Sequence, residues 1–527
     1  MEENRQIART AGIVGGATLM SRLAGLVRDQ VTASFFGDSA PAAAFLVAYR
    51  IPNLLRRLLA EGALTVAFVP VFTQTLAEGG PEAAGRLFRK MFTLLALTLV
   101  LVCVLGLVFA RPIAELMAPG FSQDPAKMEL TVSLTRLLLP YIIFMGLGAL
   151  FMGALNAGGF FAAPALGPFL GNLGVIAAAF ALTHRLDRPI DALVAGVLAG
   201  GALHLAVQGP ALRKMGLSLR PDINFRDPAV SKILVMMAPA ALGAAVYQLS
   251  VFVNTILASF LPGGSIPWLY YADRLMQFPL GVFTMAIGSA ALPALSRLAA
   301  SGDREGFLGS AHFALGLSFF ITIPAMAGLI TLAQPLVAFL FERGLFTRAS
   351  TLPTAQALQA YALGLPFLSG ASILARIFYS RQNTRTPTLV AGGALAAGVL
   401  AALILMRPLG HVGLALGSAF SSLVNFFWLY GLIWKEERAF PRGRLAAEIA
   451  GYFLLAALMG AVVWPLGDWA MSAAGPLGLA VRTLAAVGTG VAVYFGLALV
   501  TRRPQAAPLL NYLKRPRRPR PAPPPRP

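Results

Sequence analysis

Charge is what this sequence has least of. Only 12% of its 527 residues are Asp, Glu, Lys or Arg, about half the share of an ordinary soluble domain. Acids are the scarcer sign, 22 against 42 basic residues, for a formal net charge of +20. There is a single cysteine, Cys103, inside an apolar run. That excludes a disulfide framework within the chain and leaves the redox compartment open. The four histidines, His184, His204, His312 and His411, are isolated. Without metal-ligand spacing they read as core or loop residues, and no metal site is expected. A phosphate-cradling Gly-x-x-x-x-Gly-Lys-Ser/Thr loop, a Gly-x-Ser-x-Gly elbow and a His-Glu-x-x-His helix are all missing. ATP hydrolysis and the corresponding serine and zinc chemistries are therefore not expected, and no cofactor is implied.

What the sequence has in excess is apolar length. Hydrophobic residues make up 57% and the mean hydropathy is +0.72. Runs of about 18 or more apolar residues, each long enough to cross a bilayer, recur from end to end. With no water to satisfy the backbone in lipid, such runs must be helices. The sequence predicts an all-α polytopic membrane protein of about fourteen transmembrane helices. They lie near 9–36, 42–76, 91–110, 131–155, 160–183, 191–210, 231–261, 267–296, 307–332, 353–380, 388–406, 411–434, 445–467 and 477–500. Pro52, Pro140, Pro239, Pro279 and Pro366 fall inside spans and predict kinks. No cleavable leader is expected, because an Arg-Asp pair rather than a small-residue cleavage site follows the first apolar stretch.

The basic residues orient this count. With a cytoplasmic N-terminus, 26 of the 42 fall in cytoplasmic segments and eight in outer loops, as the positive-inside rule requires. Both termini are therefore expected in the cytoplasm of an inner-membrane protein. The Pro/Arg-rich stretch 502–527 cannot bury a core and is expected to meet anionic headgroups. The positive charge thus points to membrane lipids and not to nucleic acid.

The chain also repeats itself. ASFFG at 33–37 returns as ASFLP at 258–262, and AFVPVFTQTLAEGG ending at Gly80 as AALPALSRLAASG ending at Gly302, with an offset near 222–225. Two parallel six-span halves follow, a first lobe at 1–230 and a second at 231–434, with two further spans at 435–501. Transporters with parallel repeats place their substrate at the repeat interface near the midplane.

Eight basic residues lie within predicted spans: Arg22, Arg28, Arg50, Arg56, Arg57, Arg136, Arg274 and Arg376. Arg136 and Arg376 stand near span ends, where side chains snorkel. Even five of the remaining six facing lipid would cost roughly 12–17 kcal/mol on insertion scales, so they must face water or one another. Asp29, Glu61 and Asp273 accompany them. Arg57 and Glu61 are four apart and pair on one face, with Arg50 on that face too, so these three read as structural or gating. Arg28, Arg56 and Arg274 have no acid three or four residues away, and their adjacent acids point about 100° off. They are expected to stand unneutralised, on three separate helices, as a seat for an anionic group such as a diphosphate. Guanidinium binds phosphate bidentately and keeps its charge. Arg22 is the next candidate.

At these residues the sequence resembles the MurJ (MviN) family of lipid II flippases. The resemblance is carried by SRLAGLVRD at 21–29, PNLLRRLLAEGALTVAFVP at 52–70, WLYYADRLMQFPLGVF at 268–283 and FYSRQNTRTP at 378–387. It runs to about residue 501. It implies two six-helix lobes of the MATE-like kind, with the two extra helices at 435–501 forming a groove for a polyprenyl tail. It implies flipping of the lipid-linked peptidoglycan precursor, lipid II, by alternating access. The family's cavity arginines fall on Arg22, Arg28, Arg56 and Arg274, and its acidic neighbour on Asp29. Two departures stand out. The stretch after the first span reads Pro41-Ala42-Ala43-Ala44 where many members have an acid, and Asn254 stands where some have a sodium-binding Asp. Coupling to membrane potential is the expectation that remains. The alternatives are export of another polyprenyl-linked glycan, a drug antiporter on the same scaffold, or a membrane enzyme. An enzyme would need a carboxylate constellation that Asp124, Glu129, Asp187 and Asp191 do not form.

Overall fold

The computed structural model describes residues 2–56 and 64–505, with side chains from residue 15 onward except Leu55, Thr65, Val66, 238–247 and Arg442. Among the described residues the fold is helical, with one isolated bridge, Arg343 to Phe346. The order is α1 (Glu2–Phe36), α2 (Ala40–Arg56), α3 (Thr65–Val108), α4 (Ala110–Met117), α5 (Pro125–Leu138), α6 (Tyr141–Ala157), α7 (Ala162–Leu182), α8 (Asp191–Ala206), α9 (Gly209–Lys214) and α10 (Pro228–Ser259). There follow α11 (Ser265–Pro279), α12 (Met285–Ala300), α13 (Arg304–Thr331), α14 (Ala333–Phe341), α15 (Arg348–Leu363), α16 (Leu365–Ser380), α17 (Arg385–Leu409), α18 (His411–Glu436), α19 (Arg442–Met471) and α20 (Gly475–Val500).

Local chemistry sets many of these boundaries. Asp124 and Asp227 cap α5 and α10, accepting from Lys127 N at 3.1 Å and Ala229 N at 2.8 Å, and each precedes a proline at the first helical position. Such an Asp-Pro pair satisfies an orphan backbone donor and presets φ for the first turn. Asp303 caps α13 in the same way through Gly306 N at 2.9 Å. Of the predicted kinks, Pro140 separates α5 from α6, and Pro366 opens α16 after a 40° bend from α15. Pro279 closes α11, and a π-helical turn, Leu280–Thr284, leads into α12. Gly80, at φ 71°, breaks the long α3 just before Pro81.

Ten described segments are long and apolar enough to cross a membrane, or eleven if the bent pair α15–α16 is one span. The protein is a polytopic membrane protein, and ten or eleven of the expected fourteen spans are found among the described residues. The three predicted spans outside this count are the first, second and seventh; the second includes residues outside the described set, and the first and seventh include residues whose side chains are not described. Of α10, the stretches Pro228–Met237 and Gln248–Ser259 remain as shorter apolar pieces.

The chain forms two compact units. The first comprises Met1–Tyr271 with Leu340–Thr354 and Leu403–Leu414, and the second the remainder. In the first, α1 packs on α7, α7 on α8, α2 on α5, and α3 on α6 and α10. The α7–α8 contact is backbone to backbone: a β-carbon at Gly174 would stand 2.7 Å from the Cα of Gly200. The two later segments join the first unit by contacts with Met1–Tyr271 and with each other. Leu345 N donates to Ser34 O at 2.8 Å, the His411 ring stands 5.0 Å from that of Trp268, and His411 Nε2 lies 2.9 Å from Pro353 O. The second unit is built around Phe319, Phe320, Leu374, Phe426, Tyr452 and Tyr494, drawn from α13, α16, α18, α19 and α20.

Candidate functional site

The first unit gathers a polar knot around Asp29, which is only 4% exposed. Arg28 Nε and Nη2 both donate to Asp29 Oδ1, at 3.1 and 2.7 Å. Tyr270 Oη donates to the same oxygen at 3.1 Å. Arg28 Nη1 donates to Asn172 Oδ1 at 3.0 Å, and Asn172 Nδ2 donates back to the Ser21 carbonyl of α1 at 3.1 Å. Gly25 faces this amide at an ordinary distance, since a β-carbon there would stand 3.5 Å from Asn172 Nδ2. Three helices, α1, α7 and α11, therefore hold one ion pair in place.

This overturns the expectation that Arg28 stands unneutralised. Neighbouring Cα–Cβ directions do diverge by about 100°, but a guanidinium on a long flexible stem curls back onto the carboxylate beside it. The charge is matched within the protein and held in a fixed geometry.

Arg56, at the end of α2, donates through Nε to Asn53 Oδ1 at 3.1 Å, and Asn53 Nδ2 donates to the Tyr49 carbonyl at 3.1 Å. Arg28 and Arg56 both lie within electrostatic reach of Tyr49 and Tyr141, whose rings are 5.9 Å apart. The first unit thus brings these two arginines to one aromatic-lined region. Arg50 donates instead to Thr255 on α10, whose hydroxyl donates to Val251 O at 2.7 Å. Arg22 is exposed on α1. Arg57 and Glu61 lie outside the described residues. Arg274 and Asp273 are half-buried on α11 in the second unit, where Asp273 accepts from Gln277.

Sequence reasoning missed Asn172, Tyr270 and Glu448. Asn172 is a lone amide in an otherwise apolar span, and that polarity was its signal. Tyr270 adjoins the charged pair of α11 but has no distinguishing pattern. Glu448 lies within the predicted span 445–467, so it belonged with the three intraspan acids. It is 7% exposed and accepts from Gln505 Nε2 at 3.0 Å and Arg444 Nε at 3.2 Å. A glycine accommodates it too: a β-carbon on Gly316 of α13 would stand 2.8 Å from Gln505 Nε2 and 3.3 Å from Glu448 Oε2. Along the same α13–α19 seam runs an apolar groove of about 460 Å³, lined by residues that include Met326, Ile330, Phe453, Ala457 and Trp464.

An all-α polytopic body whose intraspan guanidiniums are held by amides, hydroxyls and a buried carboxylate has the makings of a membrane transporter. Comparison with known proteins narrows this class. The sequence model of the family described as lipid II flippase MurJ matches residues 32–483. The chain is 35% identical over 506 residues to the probable lipid II flippase MurJ of Vibrio cholerae, covering 94% of this chain and 96% of that one. It is 35% identical over 496 residues to the lipid II flippase MurJ of Burkholderia cenocepacia, covering 92% and 96%. Among solved structures, a lipid II flippase MurJ in its inward closed conformation superposes with a TM-score of 0.76 at 25% identity, covering 95% of this chain and 99% of that one. An inward-facing multidrug resistance MATE family transporter of the MOP superfamily gives a TM-score of 0.65 at 18% identity, over 83% and 98% of the two chains, and shares the fold. The chain belongs to the MurJ family of lipid II flippases.

Proposed function

We propose that the protein flips lipid II from the cytoplasmic to the periplasmic leaflet of the bacterial inner membrane by alternating access, and so supplies cell-wall synthesis. The observation that carries this reading is family membership over residues 32–483. In this reading the chain has about fourteen spans: lobes at 1–230 and 231–434, two tail-binding helices at 435–501, and both termini in the cytoplasm. The apolar groove between α13 and α19 supports a path for the polyprenyl chain. The diphosphate binds Arg28, Arg56 and Arg274, with Arg22 beside them, while Asp29, Arg50, Arg57, Glu61 and Asp273 gate or brace the cavity.

The Arg28–Asp29 pair refines this scheme. Asp29 keeps the guanidinium oriented and desolvated while no cargo is present. An arriving diphosphate carries more negative charge than one carboxylate and competes for the Nη donors. Lobes lined with like charge repel, and cargo charge relieves that repulsion, favouring closure. Membrane potential is the proposed driving force.

The test is reconstitution in liposomes with labelled lipid II, with and without an imposed potential, for wild type and for Arg28→Ala, Arg56→Ala and Arg274→Ala. Translocation is expected to fall in all three. Full activity in all three rejects the site.

A further inference from the structure

Arg376 was expected to snorkel from a span end. In the second unit its guanidinium instead lies over the bare Cα of Gly288 on α12, where any β-carbon would collide with Cζ, Nη1 and Nε. Its hydrogen-bond partners are neutral. Nη1 donates to the Ser372 hydroxyl at 2.9 Å and the Ser372 carbonyl at 3.3 Å, and Nη2 meets Met285 Sδ at 3.7 Å, a weak acceptor. Among the described residues no carboxylate pairs with it. Other arginines of the chain differ in this respect. Arg28 is matched by Asp29, and Arg381, just beyond the end of α16, is matched by Glu437 at 2.7 Å.

A half-buried cation among apolar helices keeps a desolvation cost that neutral partners only partly offset. An anion from outside the chain offsets it fully, and the surroundings leave room for one. Met285 is 52% exposed, Ser289 is exposed one turn further along α12, and Tyr379 is 41% exposed one turn beyond Arg376 on α16. Together they make a polar notch in an apolar helical surface. It has a planar fork for phosphate oxygens, hydroxyls beside it and flanking surface fit for an acyl or prenyl chain.

We propose that Arg376, seated on Gly288 with Ser372, Ser289 and Tyr379 around it, forms a binding notch for the phosphate of a lipid headgroup at the α12–α16 seam. The flippase reading bears only on which lipid fills it, a polyprenyl diphosphate or a bulk anionic phospholipid.

The test uses the full chain in nanodiscs. Polyprenyl diphosphate and phosphatidylglycerol are titrated separately against a phosphatidylcholine baseline. Wild type is compared with Arg376→Gln, Arg376→Lys, Gly288→Ala and Arg28→Gln. Arg376→Gln is expected to weaken one of the two anionic lipids about tenfold, the scale of one lost charge-assisted contact, with Arg376→Lys retaining most of the affinity. The lipid that loses affinity identifies the source. Gly288→Ala, which displaces the guanidinium without removing it, is expected to reproduce the loss. Unchanged binding of both lipids in Arg376→Gln and Gly288→Ala overturns the notch. If only Arg28→Gln weakens polyprenyl diphosphate, the notch fails and the flippase reading stands. If wild type binds polyprenyl diphosphate no better than phosphatidylcholine, the flippase reading fails, while an Arg376-dependent loss of phosphatidylglycerol still supports the notch.

Discussion

Each unit buries one acid, and the two acids are held differently. Asp29 and Glu448 are the buried carboxylates among the described residues. Both accept from an arginine and have an amide close by, Asn172 held through Arg28 and Gln505 bonded to Glu448 directly, and a glycine faces each amide. The difference lies in the arginine. The Arg28 side chain is 16% exposed and anchored on three helices, whereas the Arg444 side chain is 68% exposed. The first arrangement is a closed circuit of charge; the second has one end in solvent. Desolvation, more than the number of bonds, separates a pair that must stay intact from one that can lose a partner to water.

The largest expected effect tests that statement directly. Asp29→Ala leaves Arg28 buried without its carboxylate and is expected to cost about 3–5 kcal/mol, measured by thermal or denaturant unfolding in detergent. Glu448→Ala is expected to cost about 1–3 kcal/mol, because Arg444 turns to water while Gln505 loses its acceptor and His312, 3.7 Å from the carboxylate, loses its neighbour. Equal losses, or the reverse order, would break the comparison.

The two glycines sharpen it. Gly316→Ala pushes a β-carbon against Gln505 and Glu448 and is expected to destabilise by about 1–3 kcal/mol. Gly25→Ala meets Asn172 at ordinary contact distance and is expected to be neutral, or to stabilise by up to about 1 kcal/mol through helix propensity. Matching signs in the same unfolding assay would mean that the amide beside Asp29 is as tightly cradled as the one beside Glu448.

The smallest effect comes from a third carboxylate near the surface. Asp227 accepts from Lys90 Nζ at 2.8 Å and from Ala229 N, and these contacts hold its carboxyl below the usual range. Its contribution is fully present above the unfolded value of about 3.9 and is lost as pH falls through the lower folded value. Melting temperatures followed downward from pH 6 are expected to drop more steeply in wild type than in Asp227→Asn below about pH 4. Parallel curves would remove Asp227 from the balance.

Hydropathy made most of the helices legible, because the bilayer forces every apolar run into one secondary structure. The proline breaks at 140, 279 and 366 were legible for the same backbone reason. The arginines were legible as a set, since a cation in an apolar run is costly wherever it points. Their partners were not. Whether Arg28 reaches Asp29 depends on a flexible stem folding back, which a helical wheel does not represent. Asn172 is 144 residues away from Arg28 and Tyr270 is 242, so only tertiary packing reveals either. Glu448 lay in plain view inside a predicted span. The seat of the Arg376 guanidinium is Gly288, a residue that carries no charge signal at all.

The π-helical turn Leu280–Thr284 has one more consequence. A π turn carries about one residue more than an α turn, so the residues on either side of it are out of phase with a regular helix by about 100°. Thr284 uses that phase to place its hydroxyl 2.6 Å from Ser369, which lies 2.6 Å from Ser318. Deleting a single residue between 280 and 284 would let the segment relax to a plain helix. That would swing the Asp273-Arg274 end about a third of a turn relative to the hydroxyl cluster. The length of this helix, counted to the residue, thus fixes where its arginine points, and substitutions that respect size and polarity would leave that aim intact where a one-codon loss would not.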